Sequence, residues 1–336
     1  MNIAINGFGR IGRTAARVLF LKHAGKAELI AVNDLADDKT LAHLFKYDSN
    51  YGIWPGEVRA DPDGEHLIVD GVRIKSFAEK DPAKLPWGEL GIDVVLECTG
   101  IFTEREAATA HIRAGAKRVI VSAPPKGSMS THIISVNEDE MGDNEVISNA
   151  SCTTNCIAPV AAIMHREFGI VKAMMTTIHS YTADQNLHDG PHKDLRRARA
   201  AAENIVPTTT GAAQSTTDVI PELEGIFDGL AIRVPTPVGS LSDFTILTKK
   251  RTSVEEINEA FERAAQEPRF RGVIETTKDP IVSSDIVGSS ASAIIDLSLT
   301  KVIDGDLVKV VAWYDNEWGY SCRLIELSLL AAKPNA

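Results

Sequence analysis

Asn2-Ile3-Ala4-Ile5-Asn6-Gly7-Phe8-Gly9-Arg10-Ile11-Gly12 opens the chain as a short apolar strand running straight into a glycine cluster. Ile11, Ala15, Val18 and Leu19 then recur at helical spacing, which predicts an amphipathic helix to about Lys22. A G-x-G-x-x-G spacing alone arises by chance. Here it follows a strand and opens a helix, the context a dinucleotide-binding turn requires. Gly7 permits the tight turn, Gly9 lets the backbone approach a pyrophosphate, and Gly12 lets helix and strand pack closely. The helix N-terminus offers that anion unpaired N–H groups and a positive dipole end. Asp34, at the end of the strand-like 28–33 stretch, stands where a carboxylate accepts from the adenosine ribose hydroxyls. It would repel a 2′-phosphate, and Leu35-Ala36-Asp37-Asp38 supplies no arginine to offset it. These residues favour NAD over NADP.

Working outward, 93–99 and 118–122 are nearly continuous apolar runs of the kind buried in parallel sheets. A helix is expected over 104–114, with Thr103 and Glu106 as its capping box and Gly115 as its stop. Strands alternating with helices indicate a doubly wound α/β domain. The second half reads differently, with strands at 171–180, 230–234, 244–249 and 307–314 and helices at about 153–167, 194–203, 211–220 and 253–266. The chain has 336 residues, enough for about two domains of roughly 150. The sharpest boundary falls at Ser148-Asn149-Ala150-Ser151-Cys152.

Composition narrows the function. Lys+Arg 35 against Asp+Glu 46 leaves −11, which argues against a nucleic-acid binder or a protein of anionic membranes. A few local arginines can still hold a small anion. With no apolar run of 18 residues and a strand at the first residues, neither a spanning helix nor a signal peptide is expected. Four cysteines are too few for a disulfide scaffold, and point to free thiols in a reducing cytoplasm.

Cys152 precedes a segment that reads as a helix start, so its thiol would sit at the positive end. The dipole and a nearby imidazolium would favour the thiolate, each pKa unit being worth about 1.4 kcal/mol. Cys156, one turn later, reads as a buried structural thiol, and the pair lacks the His/Cys company a metal needs. His179 ends an apolar strand beside a polar loop, a plausible place for a base. Arg196, Arg197 and Arg199 form a basic run, two of them read as a solvated face. Pro207-Thr208-Thr209-Thr210-Gly211 combines hydroxyls with a helix start, an anion-binding arrangement. Arg233, flanked by apolar residues, needs a phosphate or a carboxylate as partner.

Taken together, Ile5-Asn6-Gly7-Phe8-Gly9-Arg10-Ile11-Gly12-Arg13, Ser148-Asn149-Ala150-Ser151-Cys152-Thr153-Thr154-Asn155-Cys156, His179-Ser180-Tyr181-Thr182, Arg233-Val234-Pro235-Thr236-Pro237 and Trp313-Tyr314-Asp315-Asn316-Glu317-Trp318-Gly319-Tyr320 carry a resemblance. Along essentially its full length the chain resembles the phosphorylating, NAD-dependent glyceraldehyde-3-phosphate dehydrogenases. The resemblance implies an N-terminal Rossmann-type domain at 1–151, completed by a final helix at 317–333. It also implies an α+β catalytic domain at 152–316 with a mainly antiparallel sheet. Cys152 would be the nucleophile and His179 its base. Thr182, Arg197 and Arg233 would surround the substrate's phosphate, and Ser151, Thr153, Thr210 and Gly211 the attacking inorganic phosphate. Gly7, Gly9, Arg10, Ile11, Gly12, Asp34, Lys80, Thr99 and Ser122 would line the dinucleotide, with Asn316 orienting the nicotinamide amide. A homotetramer acting in glycolysis or its reverse is implied as well.

Ala183 and Gly190 depart from what relatives commonly carry near the cofactor, while Pro191 matches the NAD type. Val238-Gly239 replaces the usual Asn-Val. Two rival readings are erythrose-4-phosphate dehydrogenase, a sister family with the same Cys/His pair, and a catalytically silent nucleotide- or RNA-binding protein. Thr182 and the 208–211 run speak against the first, and the net charge and intact pair against the second.

Overall fold

A computed structural model describes residues 1–332. It separates into two compact units, one of 1–132, 138–150 and the segment from Ser321 onward, the other of 133–137 and 151–320. Residue 333 of the expected final helix lies outside the described residues; the helix is observed over Trp318–Ala331. No helix among the described residues is long and apolar enough to cross a membrane.

The first unit is built on a nine-stranded sheet. Its centre is the strand Asn2–Asn6, paired in parallel with Glu28–Asn33 on one side and Val94–Glu97 on the other. Arg118–Val121, Val146–Ser148 and Ser130–Thr131 continue the parallel order beyond Val94–Glu97, and Val72–Phe77 extends it beyond Glu28–Asn33. An antiparallel edge of His66–Val69 and Val58–Ala60 completes it. Ala4, Ala31, Val95, Val119 and Val121 pack with Trp87 in one buried cluster, so the near-continuous apolar runs reflect strands covered on both faces.

The glycine turn has the geometry its sequence requires. Gly7 takes φ +89°, and a Cβ there would lie 2.7 Å from the Thr99 nitrogen. A Cβ on Gly12 would come within 2.2 Å of the Gly7 carbonyl oxygen, whereas one on Gly9 meets nothing within 4 Å. The helix Arg10–Lys22 follows at once.

The second unit carries an eight-stranded mixed sheet, mainly antiparallel. Its order is Val206–Thr208, Phe227–Val234, Ile170–Ser180, Ser240–Thr248, Leu307–Tyr314, Ala293–Asp296 and Ile274–Thr277, with Lys301–Ile303 also against Leu307–Tyr314. Two registers align polar residues near the strand ends. His179 is the Cα partner of Arg233 on the parallel neighbour strand, and Ser240 is the partner of Tyr314. The helices Cys152–Phe168, Ala212–Val219 and Val254–Ala264 belong to this unit. Val171, Met174, Leu230 and Leu307 leave an apolar stretch of the sheet exposed.

Two expected helices differ. The segment 104–114 forms two separate turns, Arg105–Ala108 and Ala110–Arg113, without the capping box. Thr103 instead gives its carbonyl to the Lys126 N–H, and the Thr109 hydroxyl bonds the Arg105 carbonyl at the break. The segment 194–203 is a series of turns, because carboxylates claim its N–H groups: Asp194 accepts from Arg196 N, and Asp189 from Ala200 N.

The glycine geometry makes a paired prediction. Gly12→Ala should lose about 2–3 kcal/mol by overpacking against backbone, while Gly9→Ala stays within about 1 kcal/mol. Urea unfolding checks this, and an unshifted midpoint for Gly12→Ala would contradict the packing.

Candidate active site

Ser148-Asn149-Ala150-Ser151 turns the chain from a strand into the helix Cys152–Phe168, with Ala150 at φ +51° in the left-handed region. Ser151 is the N-cap, its Oγ accepting from Thr154 N at 3.0 Å, a contact worth about 1 kcal/mol. Cys152 is therefore the first helical residue, at the positive end of a 17-residue helix. The Thr153 hydroxyl and the N–H groups of Thr153 and Cys152 act to lower its thiol pKa.

His179 comes from the C-terminal end of the strand Ile170–Ser180, and its Nε2 lies 3.4 Å from Cys152 Sγ. A carbonyl oxygen only accepts, so the 2.7 Å contact from Nδ1 to the Ser180 oxygen, shorter than the 3.0 Å approach of the donor-only Arg233 Nη1, places the ring proton on Nδ1. Nε2 is left as the acceptor facing the thiol. Arg233 Nη1, 3.0 Å from Nδ1, donates to the same carbonyl at 3.2 Å. Tyr314 stands edge-on to the imidazole at 5.9 Å between centroids. Its hydroxyl joins Thr153 Oγ1 at 3.0 Å to Thr177 Oγ1 at 2.8 Å.

The electrostatics differ from the sequence expectation in one respect. Burial, and then Arg233, push the His179 imidazole down to about 3, so it rests neutral. Burial pushes the Cys152 thiol up, and Arg233 pulls it partway back. The cation that favours the thiolate is thus the guanidinium and not an imidazolium. Cys156 is fully buried, and desolvation pushes its thiol up strongly.

Arg233 Nε is buried without a partner, an orphaned donor of the kind an anion would satisfy. Arg197 is more occupied: Nη1 pairs with Asp184 at 2.5 Å, Nε donates to Thr208 Oγ1 and Nη2 to the Thr209 carbonyl. Its charge still lowers His179 and Arg233. Thr182 sits half-buried at the start of the same loop, its carbonyl bonded by Gln185 N. Gly211 caps the helix Ala212–Val219 with no side-chain partner and with open space beside it, while Thr210 Oγ1 accepts from Ala212 N. The hydroxyls of Ser151 and Thr153 are already engaged.

Asn316 is buried, and its Oδ1 accepts from Ser180 Oγ at 2.9 Å, Ser240 Oγ at 3.0 Å and Gly239 N at 3.1 Å. Three donors on one oxygen fix the amide, so its NH2 is the group presented outward. Gly239 has φ +92°, and a Cβ there would lie 2.5 Å from the Ser283 carbonyl oxygen. That accounts for glycine in the Val238-Gly239 pair.

In the first unit, Gly7, Gly9, Asp34, Lys80 and Thr99 line a cleft of about 500 Å³ at the carboxyl edge of the parallel strands. Asp34 accepts from Phe8 N at 2.8 Å and Ala36 N at 3.0 Å, with lone pairs left for hydroxyl donors. The cleft's size and Gly9's bare backbone fit a dinucleotide. Arg10 and Ile11 begin the helix, but the Arg10 side chain turns to Asp48 at 2.6 Å. Burial raises the pKa of Cys98, a cleft residue, to about 12, and Ser122 acts to lower it.

Thr177, Ser180, Ser240 and Tyr314 were not singled out by sequence. Two signals were available: Thr177 shares a strand face with His179 at period two, and Tyr314 stands two residues before Asn316.

Comparison with known proteins agrees with this geometry. Residues 1–105 match the NAD binding domain of glyceraldehyde 3-phosphate dehydrogenase, and 151–316 match the C-terminal domain of the same family. The chain is 51% identical over 331 residues to a glyceraldehyde-3-phosphate dehydrogenase of Streptomyces coelicolor, covering 98% of each. It is 53% identical over 338 residues to that of Mycobacterium tuberculosis, covering 99% of each. Against the Mycolicibacterium smegmatis protein of that name it is 53% identical over 339 residues, covering 99% of each. With a dinucleotide turn, a thiol–imidazole pair and similarity over nearly its whole length, this chain belongs to the glyceraldehyde-3-phosphate dehydrogenase family.

Proposed function

We propose that the chain oxidises glyceraldehyde 3-phosphate with NAD and inorganic phosphate to 1,3-bisphosphoglycerate. The observation that carries this reading is the Cys152 thiol 3.4 Å from Nε2 of a His179 whose Nδ1 makes its shortest contact to the Ser180 carbonyl. When bound, NAD supplies the hydride acceptor. Cys152 adds to the aldehyde carbon, forming a C–S bond, while His179 Nε2 takes the thiol proton. It passes that proton to the former carbonyl oxygen, giving the hemithioacetal hydroxyl and freeing Nε2. The hemithioacetal oxygen develops charge near the N-terminus of the helix that Cys152 opens, where the helix dipole favours it. His179 accepts the hemithioacetal hydroxyl proton as the carbon is oxidised, leaving a thioester on Cys152. Phosphate attack breaks the C–S bond, releases the acyl phosphate and returns the thiolate. A thioester keeps the acyl group more activated than an oxygen ester would, a physical reason for cysteine at this position.

Two anion sites are needed because both substrates carry phosphate. Arg233, with its unpartnered Nε, anchors the aldehyde substrate together with Thr182 and Arg197. The backbone at Ser151 and Thr153 with Thr210 and Gly211 receives inorganic phosphate. Anchoring the remote phosphate holds the aldehyde in attack geometry. The NH2 of Asn316 donates to the nicotinamide carboxamide, and Asp34 favours NAD over NADP. The exposed Met174, Leu230 and Leu307, with Leu187, Leu195 and Ile205, support assembly into a homotetramer. Four free thiols support a cytoplasmic location.

Initial rates should show NADH formation that requires phosphate, with kcat/KM for glyceraldehyde 3-phosphate well above that for erythrose 4-phosphate and NAD preferred to NADP. The reverse order for the two aldehydes would assign the chain to the sister activity. Cys152→Ser should abolish the reaction while NAD binding persists; retained activity would sink the mechanism. Because Arg233 lowers the pKa of both thiol and imidazole, Arg233→Gln should raise both. At a given pH less thiolate is then present. The pH midpoint for iodoacetamide alkylation of Cys152 should therefore move up, and a downward move would contradict the electrostatic account.

A further inference from the structure

Strand register brings Asn6 opposite Asn33 on one side and opposite Glu97 on the other, at the carboxyl edge of the parallel sheet. Glu97 is 1% exposed and His111 0%. Glu97 Oε2 accepts from Asn6 Nδ2 at 2.5 Å and lies 3.0 Å from His111 Nε2. Its Oε1 accepts from Thr99 N at 2.8 Å and from the Thr99 hydroxyl.

The directions of these bonds are fixed by groups that can act in only one way. The Trp87 indole N–H only donates, and at 2.9 Å it makes His111 Nδ1 the acceptor. His111 Nε2 therefore carries the proton and donates to Glu97. Asn6 Oδ1 accepts from Asn33 Nδ2 at 2.7 Å, which turns the Asn6 NH2 to Glu97. Asn33 is itself oriented by the Glu79 backbone, donating to its carbonyl and accepting from its N–H. Every bond at the centre runs toward Glu97, and only an acceptor-only carboxylate satisfies all of them. Asn6, Asn33, Glu79 and Thr99 line the dinucleotide cleft, whereas Trp87 and His111 are buried behind it.

We infer that Glu97 is a positioning residue for the dinucleotide, acting through the cleft wall it holds in place rather than by touching the ligand. The inference rests on the NAD reading above and adds a residue to it. Glu97→Gln is isosteric, yet whichever way its amide turns, an NH2 meets a donor. Calorimetric titration of NAD into cofactor-free protein should show Kd raised about ten-fold or more, the size of one lost charge-assisted bond. KM for NAD should rise with it, kcat at saturating NAD should stay within about two-fold, and alkylation of Cys152 without NAD should be unchanged. Trp87→Phe, which frees the His111 tautomer without altering the cleft lining, should raise Kd by a smaller factor. If Glu97→Gln does not fold, the Trp87→Phe titration decides. Kd within about two-fold of the unaltered protein in whichever variants fold would overturn the inference, as would a fall in kcat with Kd unmoved. Failure of the unaltered protein to bind NAD would overturn the cofactor reading itself, and this role with it.

Discussion

The hydrogen bond from His179 Nδ1 to the Ser180 carbonyl is the constraint on which the chemistry of the second unit depends. It decides which ring nitrogen is basic. Because Nδ1 carries the proton, Nε2 faces Cys152 with a free lone pair. Arg233 donates to the same carbonyl, and burial together with the Arg233 charge keeps the ring from protonating. Strand register makes this possible, since His179 and Arg233 are paired residues of neighbouring parallel strands. A one-residue slip of either strand would turn its own member of the pair to the opposite face.

The arrangement also separates two jobs that one cation cannot do together. A permanently protonated imidazole would favour the thiolate but could not take a proton. Here the guanidinium stabilises negative charge and the imidazole remains a base. The same division appears at Asn316, where two serine hydroxyls and a glycine N–H occupy one amide oxygen and leave the NH2 for a ligand. In both places hydrogen-bond direction, not proximity alone, gives the residue its role.

Much of this was legible in the sequence because it is local. The glycine turn needs only strand, turn and helix in succession, and a Cβ-free Gly12 follows from close packing of neighbours in the chain. Cys152 at a helix start is likewise a local feature. The neutral state of His179 was not legible, because it depends first on burial in the folded unit and then on Arg233, 54 residues away. Tyr314 was missed for a similar reason: its partners Thr153 and Thr177 meet it only across the sheet. The false helix at 194–203 shows the opposite error, in which a run of helix-forming residues was overridden by carboxylates of Asp189 and Asp194 bonding the backbone. Arg197 lies within that run, and its hold on Asp184 could not be read from spacing.

The claim at the centre is that an acyl group passes through Cys152. Intact-protein mass spectrometry after mixing with glyceraldehyde 3-phosphate and NAD, with phosphate withheld, tests it directly. The account predicts a covalent acyl adduct that peptide mapping assigns to Cys152, accompanied by about one NADH per site, and its disappearance when phosphate is added. Sustained turnover on adding phosphate, with no adduct ever forming at Cys152, would contradict it.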